Sequence, residues 1–254
     1  RLAEMSGFAH YDKGWHGTAT YGTFGAAAAA AKLLGLNEDQ TTTALGIAAT
    51  QAAGLKAMFG TMCKPLHAGK AASNGLLAAR LAKKGFTSRP DAIECAQGFA
   101  ATQADGFQAL PVKISHNEKL AVEENLFKYH ASCYLTHAGI DAIKSLRDEN
   151  NIKVEQVDSV KQFVPKTHFS VCNIAEPSTG LEVKFSMRHT AAMALSHINT
   201  GSLTAYDDVI ANRVDLVNLR NKVEIIDKKF DSRMQSEVVI NLTDGRSLIK
   251  FWDA

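Results

Sequence analysis

From residue 17 to residue 125 the chain alternates apolar, alanine-rich runs with short polar or glycine-bearing breaks, and it reads as helical. Tyr21 to Leu34 is rich in alanine and leucine, both strong helix formers, and Gly35 supplies a stop. Asn37-Glu38-Asp39-Gln40 has the form of a capping box and predicts a helix to Ala53. Gly54 to Lys64 predicts a loop. Pro65 suits a first helical position, so a helix is predicted from there to Lys83-Lys84, ahead of Gly85. Ser88-Arg89-Pro90 predicts the start of a further short helix, and 98–125 an irregular stretch with a helix near its end.

After Lys128 the texture changes. Cys133 to Glu149 has an amphipathic helical pattern, Val154 to Val164 is a strand-like run of β-branched residues, and Leu181 to Ile198 is helical. Val223 to Ile226 predicts a second strand, and Asp244-Gly245 between Glu237–Leu242 and Ser247–Phe251 predicts a hairpin. The fold class expected is a mainly α helical domain over 1–124, then a smaller α+β domain over 125–254, with the boundary near 122–127. Arg1 to Ser6 reads as the tail of a helix, and the final strand-like run has no closing element after it. The expectation is an internal fragment, incomplete at both ends and weak or inactive alone.

Composition narrows the classes of partner. The 254 residues are 46% hydrophobic and 21% charged with a formal net charge of +2, which gives no reason to expect a nucleic acid or a membrane surface. Cys63, Cys95, Cys133 and Cys172 stand far apart with no CxxC pair, and there is no secretory signal, so reduced thiols in the cytoplasm are expected. No apolar run approaches the roughly 18 residues a bilayer span needs. Gly22-Thr23-Phe24-Gly25 lacks the spacing and preceding strand of a nucleotide fingerprint, so the small residues are read as packing residues.

Four places hold ionisable groups that structure alone would not demand. His16 lies between Trp15 and Gly17 at a helix mouth, where its flanking glycines leave the imidazole little cover. Lys64 precedes Pro65 and so lies at the positive end of a helix, a position that costs a cation about 0.3–1 kcal/mol unless an anion shares it. His67 follows in the same stretch. Lys128, His130, Cys133 and His137 cluster at the seam of the two halves, but lack a second Cys/His pair at ligand spacing, so no metal site is read there. Lys184 and Arg188, taken as i and i+4 of one helix, repel by a few tenths of a kcal/mol unless solvent or a polyanion separates them, and His189 stands next to them. Asp12 and Asp105 are further acidic candidates. For each place the bland alternative is a satisfied or solvated structural residue.

Together these segments resemble the MmgE/PrpD family. The resemblance rests on Gly-Trp-His-Gly-Thr-Ala (14–19), Ala-Ala-Lys-Leu-Leu-Gly-Leu (30–36), Cys-Lys-Pro-Leu-His-Ala-Gly-Lys-Ala-Ala (63–72), Lys-Tyr-His-Ala-Ser-Cys-Tyr-Leu-Thr-His-Ala (128–138) and Lys-Phe-Ser-Met-Arg-His (184–189). It implies a helical domain plus a smaller α+β domain, a homodimer, no cofactor and no metal. It implies a small di- or tricarboxylate substrate that is dehydrated, decarboxylated or epimerised. By resemblance His16, Lys64, Lys128 and His189 are expected to be catalytic. Arg188, Lys184, Cys133 and His67 are expected to bind substrate. His189 departs from a tyrosine common among relatives. His16, Lys64 and Lys128 are expected to converge on one pocket. The reaction placed first is dehydration of a 2-methylcitrate-like hydroxy-tricarboxylate, which needs a base at the carbon α to a carboxylate and an acid at the departing hydroxyl. The alternatives are cis-aconitate decarboxylation, iminodisuccinate epimerisation, or carboxylate binding without catalysis.

Overall fold

Helices follow one another through the first half of the chain as α1 (Leu2–Ser6), α2 (Ala9–Asp12), α3 (Gly17–Leu33), α4 (Glu38–Gln51), α5 (Cys63–Lys83) and α6 (Phe99–Gln103). The computed structural model describes residues 2–108 and 121–254. They fall into two units, one of Arg1–Met58 with Met62–Asn125, the other of Phe59–Thr61 with Leu126–Ala254.

In the first unit α3, α4 and α5 pack on one another around Phe24, Ile47, Phe99 and a set of buried alanines that includes Ala27, Ala31, Ala44, Ala48, Ala78 and Ala79. Alanine sets the separation of the axes. A Cβ on Gly75 of α5 would sit 2.5 Å from both the Ala26 Cβ and the Ala27 nitrogen of α3, so this crossing admits only glycine. The capping box opens α4 as expected: the Asn37 side chain accepts from the Gln40 N–H at 2.9 Å, and the Gln40 side chain accepts from the Asn37 N–H at 3.2 Å.

Three expectations for this half are corrected. α5 begins at Cys63, two residues before Pro65, because the Leu66 N–H reaches back to the Met62 carbonyl at 3.3 Å. Proline is tolerated inside that first turn, where an amide has no partner within the helix anyway. Ser88-Arg89-Pro90 opens turns instead of a helix: the Ser88 hydroxyl is held by the Thr43 carbonyl and Arg89 pairs with Asp91. α6 lies in the stretch expected to be irregular. The helix expected near the end of 98–125 falls largely on 109–120, outside the described residues, and Ala121–Glu124 form a short 3-10 turn.

The second unit places α7 (His137–Asn150), α8 (Gly180–Val183), α9 (Met187–Leu195), α10 (Asp208–Ala211) and α11 (Val214–Arg220) with strands β1 (Val157–Val164), β2 (Val223–Asp227), β3 (Gln235–Leu242) and β4 (Ser247–Asp253). The sheet order is β2-β1-β3-β4. β1 and β2 are parallel, Val160 opposite Val223, which demands a crossover, and the helices α8 to α11 supply it. β3 runs antiparallel to both β1 and β4. The β3–β4 turn uses Gly245 at φ +89, and the Asp244 carboxylate accepts from the Arg246 N–H at 3.0 Å. α7 covers β3 and β4, and α9 packs on α7, α11 and β2. Val157, Val160, Val238 and Ile240 point at this helical layer with no exposed surface.

Cys133 lies outside the helix predicted from it, since Tyr134–Thr136 form a 3-10 turn before α7 starts at His137. β1 starts at Val157, after a 3-10 turn at Val154–Gln156. The single helix predicted over 181–198 is two. α8 ends at Val183, and Ser186 then caps α9, its hydroxyl accepting from the His189 N–H at 3.2 Å. Lys184 and Arg188 therefore do not share a helical face. α10 and α11 had no counterpart in the sequence reading.

Candidate active site

In the first unit the site is built around His16, the N-cap residue of α3, in extended conformation at φ −94 and ψ 105. Its N–H donates to the Gly54 carbonyl at 2.9 Å, the Lys56 N–H donates to the Gly14 carbonyl at 2.8 Å, and Trp15 and Leu55 form an antiparallel bridge. Its carbonyl accepts from the Ala19 and Thr20 N–H groups at 2.8 and 3.2 Å. The backbone is thus held from both sides, while the side chain takes no part in capping. The imidazole is buried and meets His67 of α5, Nδ1 to Nδ1, at 2.8 Å.

Gly54 makes that meeting possible. Its φ of +156 suits glycine, and a Cβ there would collide with the Ala19 Cβ and come within 3.3 Å of the His67 ring. Lys64 occupies the first turn of α5, one turn ahead of His67, where unsatisfied N–H groups and the helix dipole present positive charge.

Burial, and then nearby positive charge, disfavour the protonated form of both rings. Burial, then His67, then the Lys64 ammonium depress the His16 pKa to about 4. Burial and Lys64 also lower that of His67. Two neutral imidazoles joined through their Nδ1 atoms need one donor and one acceptor, so the rings are in opposite tautomers. Such a pair can pass a proton along its Nδ1–Nδ1 contact, and a helix N-terminus carrying a cation is an arrangement that accommodates carboxylates.

The second unit holds the remaining residues named from sequence. The Lys128 ammonium donates to the Ser132 carbonyl at 3.0 Å, and the Ser132 and Thr136 hydroxyls bond at 2.7 Å. His130 is clamped between Asp141 at 2.9 Å and the Thr200 hydroxyl at 2.7 Å. His137 lies edge-on to His130 and stacked on Tyr134, with its Nε2 unpartnered among the described residues. Burial first, then His130 and Lys128, lower its pKa to about 4. Sequence reasoning missed the Asp141 clamp, although His137 and Asp141 stand at i and i+4 on one face of α7.

Cys133 donates its N–H to the Lys184 carbonyl at 2.8 Å, and its side chain hydrogen-bonds Cys172, a bond that with burial pushes the Cys172 thiol well up. Lys184 caps the C-terminus of α8 with its ammonium 5.2 Å from the Tyr206 ring centre. Arg188 donates through Nε to the Val223 carbonyl at 3.1 Å. His189 has no exposed surface, and neither ring nitrogen has a partner of hydrogen-bonding geometry among the described residues. Its pKa falls to about 4 through burial and then Arg220, with the Ile210 backbone pulling weakly the other way. Among the described residues no group of three or more His, Cys, Asp or Glu could hold a metal ion, and no helix is long and apolar enough to cross a membrane.

Residues 1–110 match the MmgE/PrpD N-terminal domain and residues 130–251 the MmgE/PrpD C-terminal domain. The chain belongs to the MmgE/PrpD family. It is similar to the cis-aconitate decarboxylase of Homo sapiens, 30% identical over 221 residues, covering 84% of this chain and 45% of that protein. With the Mus musculus protein of the same name it is 28% identical over 247 residues, covering 92% and 49%. With that of Aspergillus terreus it is 36% identical over 151 residues, covering 54% and 29%. The chain thus spans about half the length of the human and mouse relatives or less.

Proposed function

We propose that this chain carries the acid/base part of a lyase acting on a small tricarboxylate, with decarboxylation of a cis-aconitate-like substrate as its reaction. The observation that carries the proposal is the His16–His67 pair, joined Nδ1 to Nδ1 at 2.8 Å, with Lys64 in the first turn of the same helix as His67. The relatives' names favour decarboxylation over the dehydration of 2-methylcitrate placed first from sequence.

In decarboxylation the bond to a carboxylate carbon breaks, CO2 leaves, and the electron pair passes to an allylic carbanion that must be protonated. His16 supplies that proton through its outer nitrogen. Lys64 and the first-turn amides of α5 hold a remaining carboxylate, a charge-assisted contact of about twice the strength of a neutral hydrogen bond. Lys128 is assigned a role in carboxylate recognition, as are Lys184 and Arg188. Dehydration would ask His16 to work in the opposite sense, as the base that removes a proton.

The test is turnover of the whole protein on cis-aconitate and on 2-methylcitrate, with products followed by proton NMR. The proposal expects CO2 loss from cis-aconitate and a drop of about 10² to 10⁴ in kcat for His16→Asn. Efficient release of water from 2-methylcitrate with inert cis-aconitate would reverse the order of the two reactions.

A further inference from the structure

His16 alone is a poor acid and a poor base. Its protonated form is disfavoured down to a pKa of about 4, and burial, which a bound carboxylate does not remove, is the largest cause. Giving up its only proton would leave an imidazolate in the same buried place. Yet the ring has an immediate neighbour at 2.8 Å through its Nδ1, and that neighbour is only partly buried.

We propose that His67 is the positioning residue of this site, and that it relays protons between solvent and His16 through the paired Nδ1 atoms. The inference rests on the acid/base reading of His16. In the donating direction His16 Nε2–H passes its proton to the substrate carbanion, His67 Nδ1–H passes its own to His16 Nδ1, and His67 Nε2 takes one from water. One proton leaves water and one reaches the substrate. Each ring stays neutral throughout and the two exchange tautomers. After product leaves, the same path run backwards with water at both ends resets the pair: water gives a proton to His16 Nε2, His16 Nδ1–H returns its proton to His67 Nδ1, and His67 Nε2–H returns one to solvent.

The fold builds for this arrangement at three points. Gly54 leaves the space the His67 ring needs. The same residue's carbonyl accepts the His16 N–H, so one turn sets both rings. Lys64, which faces both, disfavours a second positive charge on either ring, so a relay of neutral states is the route left open. The charged or titratable neighbours that shift these rings are His67 and Lys64 for His16, and Lys64 for His67.

Two measurements on the whole protein test it. The first is nitrogen NMR with ¹⁵N-labelled histidine, the two rings assigned with His16→Asn and His67→Asn. At pH 7 the relay requires both rings neutral and in opposite tautomers, with one proton correlated to the two Nδ1 atoms. A His16 imidazolium, or the same tautomer in both rings, overturns it whatever the substrate. The second is the pH profile of turnover in His67→Asn, whose amide can hydrogen-bond His16 Nδ1 but cannot pass a proton on. The expected result is a loss in kcat of about 10²-fold at pH 7 with KM within about threefold, shrinking as pH falls and His16 itself becomes protonated. Parent-like kcat and an unchanged pH profile in a folded His67→Asn protein overturn the relay. If the parent turns over neither substrate, the lyase reading fails, and the NMR result decides the histidine pair separately.

Discussion

Replacing Gly54 by alanine should loosen the first unit and part the two histidines together. The new Cβ collides with the Ala19 Cβ and presses the His67 ring at 3.3 Å, while the backbone stays at φ +156, where side chains are strained. Overpacking typically costs about 1–3 kcal/mol, and an unfavourable backbone region about 1–3 more. A loss of roughly 2–6 kcal/mol follows, a lowering of Tm on the order of 10 °C. Gly69→Ala is the internal control. Gly69 lies in α5 with nothing within 4 Å of its would-be Cβ, so alanine there should stabilise by about 0.5–1 kcal/mol. Adding Ala19→Gly to Gly54→Ala removes the collision but not the backbone strain, so part of the lost stability should return despite the helix cost of glycine. The assay is thermal unfolding of the four proteins, with histidine NMR reporting the pair. If Gly54→Ala unfolds with the parent and keeps the shared Nδ1 proton, the packing argument for the site is wrong.

Acid should destabilise the protein well above the carboxylate range. His16, His137 and His189 have folded pKa values of about 4 against an ordinary 6.5, so the unfolded chain binds more protons between those values and stability falls as pH falls through that window. Each contributes about 2 kcal/mol of loss between pH 7 and 5, and a Tm flat over that range would contradict the burial of these rings. Lys64→Met should raise the His16 pKa measurably by NMR, though not to 6.5, because burial outweighs the ammonium; an unchanged pKa would mean that the two groups are not coupled. Thiol labelling at pH 7 should modify exposed Cys63 first and leave buried Cys172 intact until the protein is unfolded, as peptide mapping would show.

Much of the fold was legible because local signals and tertiary packing agree. The Asn37 capping box, the alanine helices and the Asp244-Gly245 turn are all short-range devices. The helix breaks were legible only in part. Ser186 ends one helix and starts another by hydrogen-bonding an amide three residues on, and nothing in the apolar pattern of 181–198 marks it above the surrounding helix formers. Pro65 was misjudged by two residues because proline fits any place in a first turn. At the site, His16 and Lys64 stood out as misfits against their neighbours. The His16–His67 contact did not, since it joins residues 51 apart in sequence through the turn at Gly54. The complete burial of His189 was likewise hidden, because it depends on α10 and α11, which at four and seven residues are too short to show a helical period.

The most direct test of the account is the effect of His16→Asn on conversion of cis-aconitate by the whole protein, followed by proton NMR at pH 7 with thermal unfolding as the check on folding. The account predicts a folded variant whose kcat has dropped by about 10² to 10⁴. A folded variant that converts cis-aconitate as fast as the parent would contradict it.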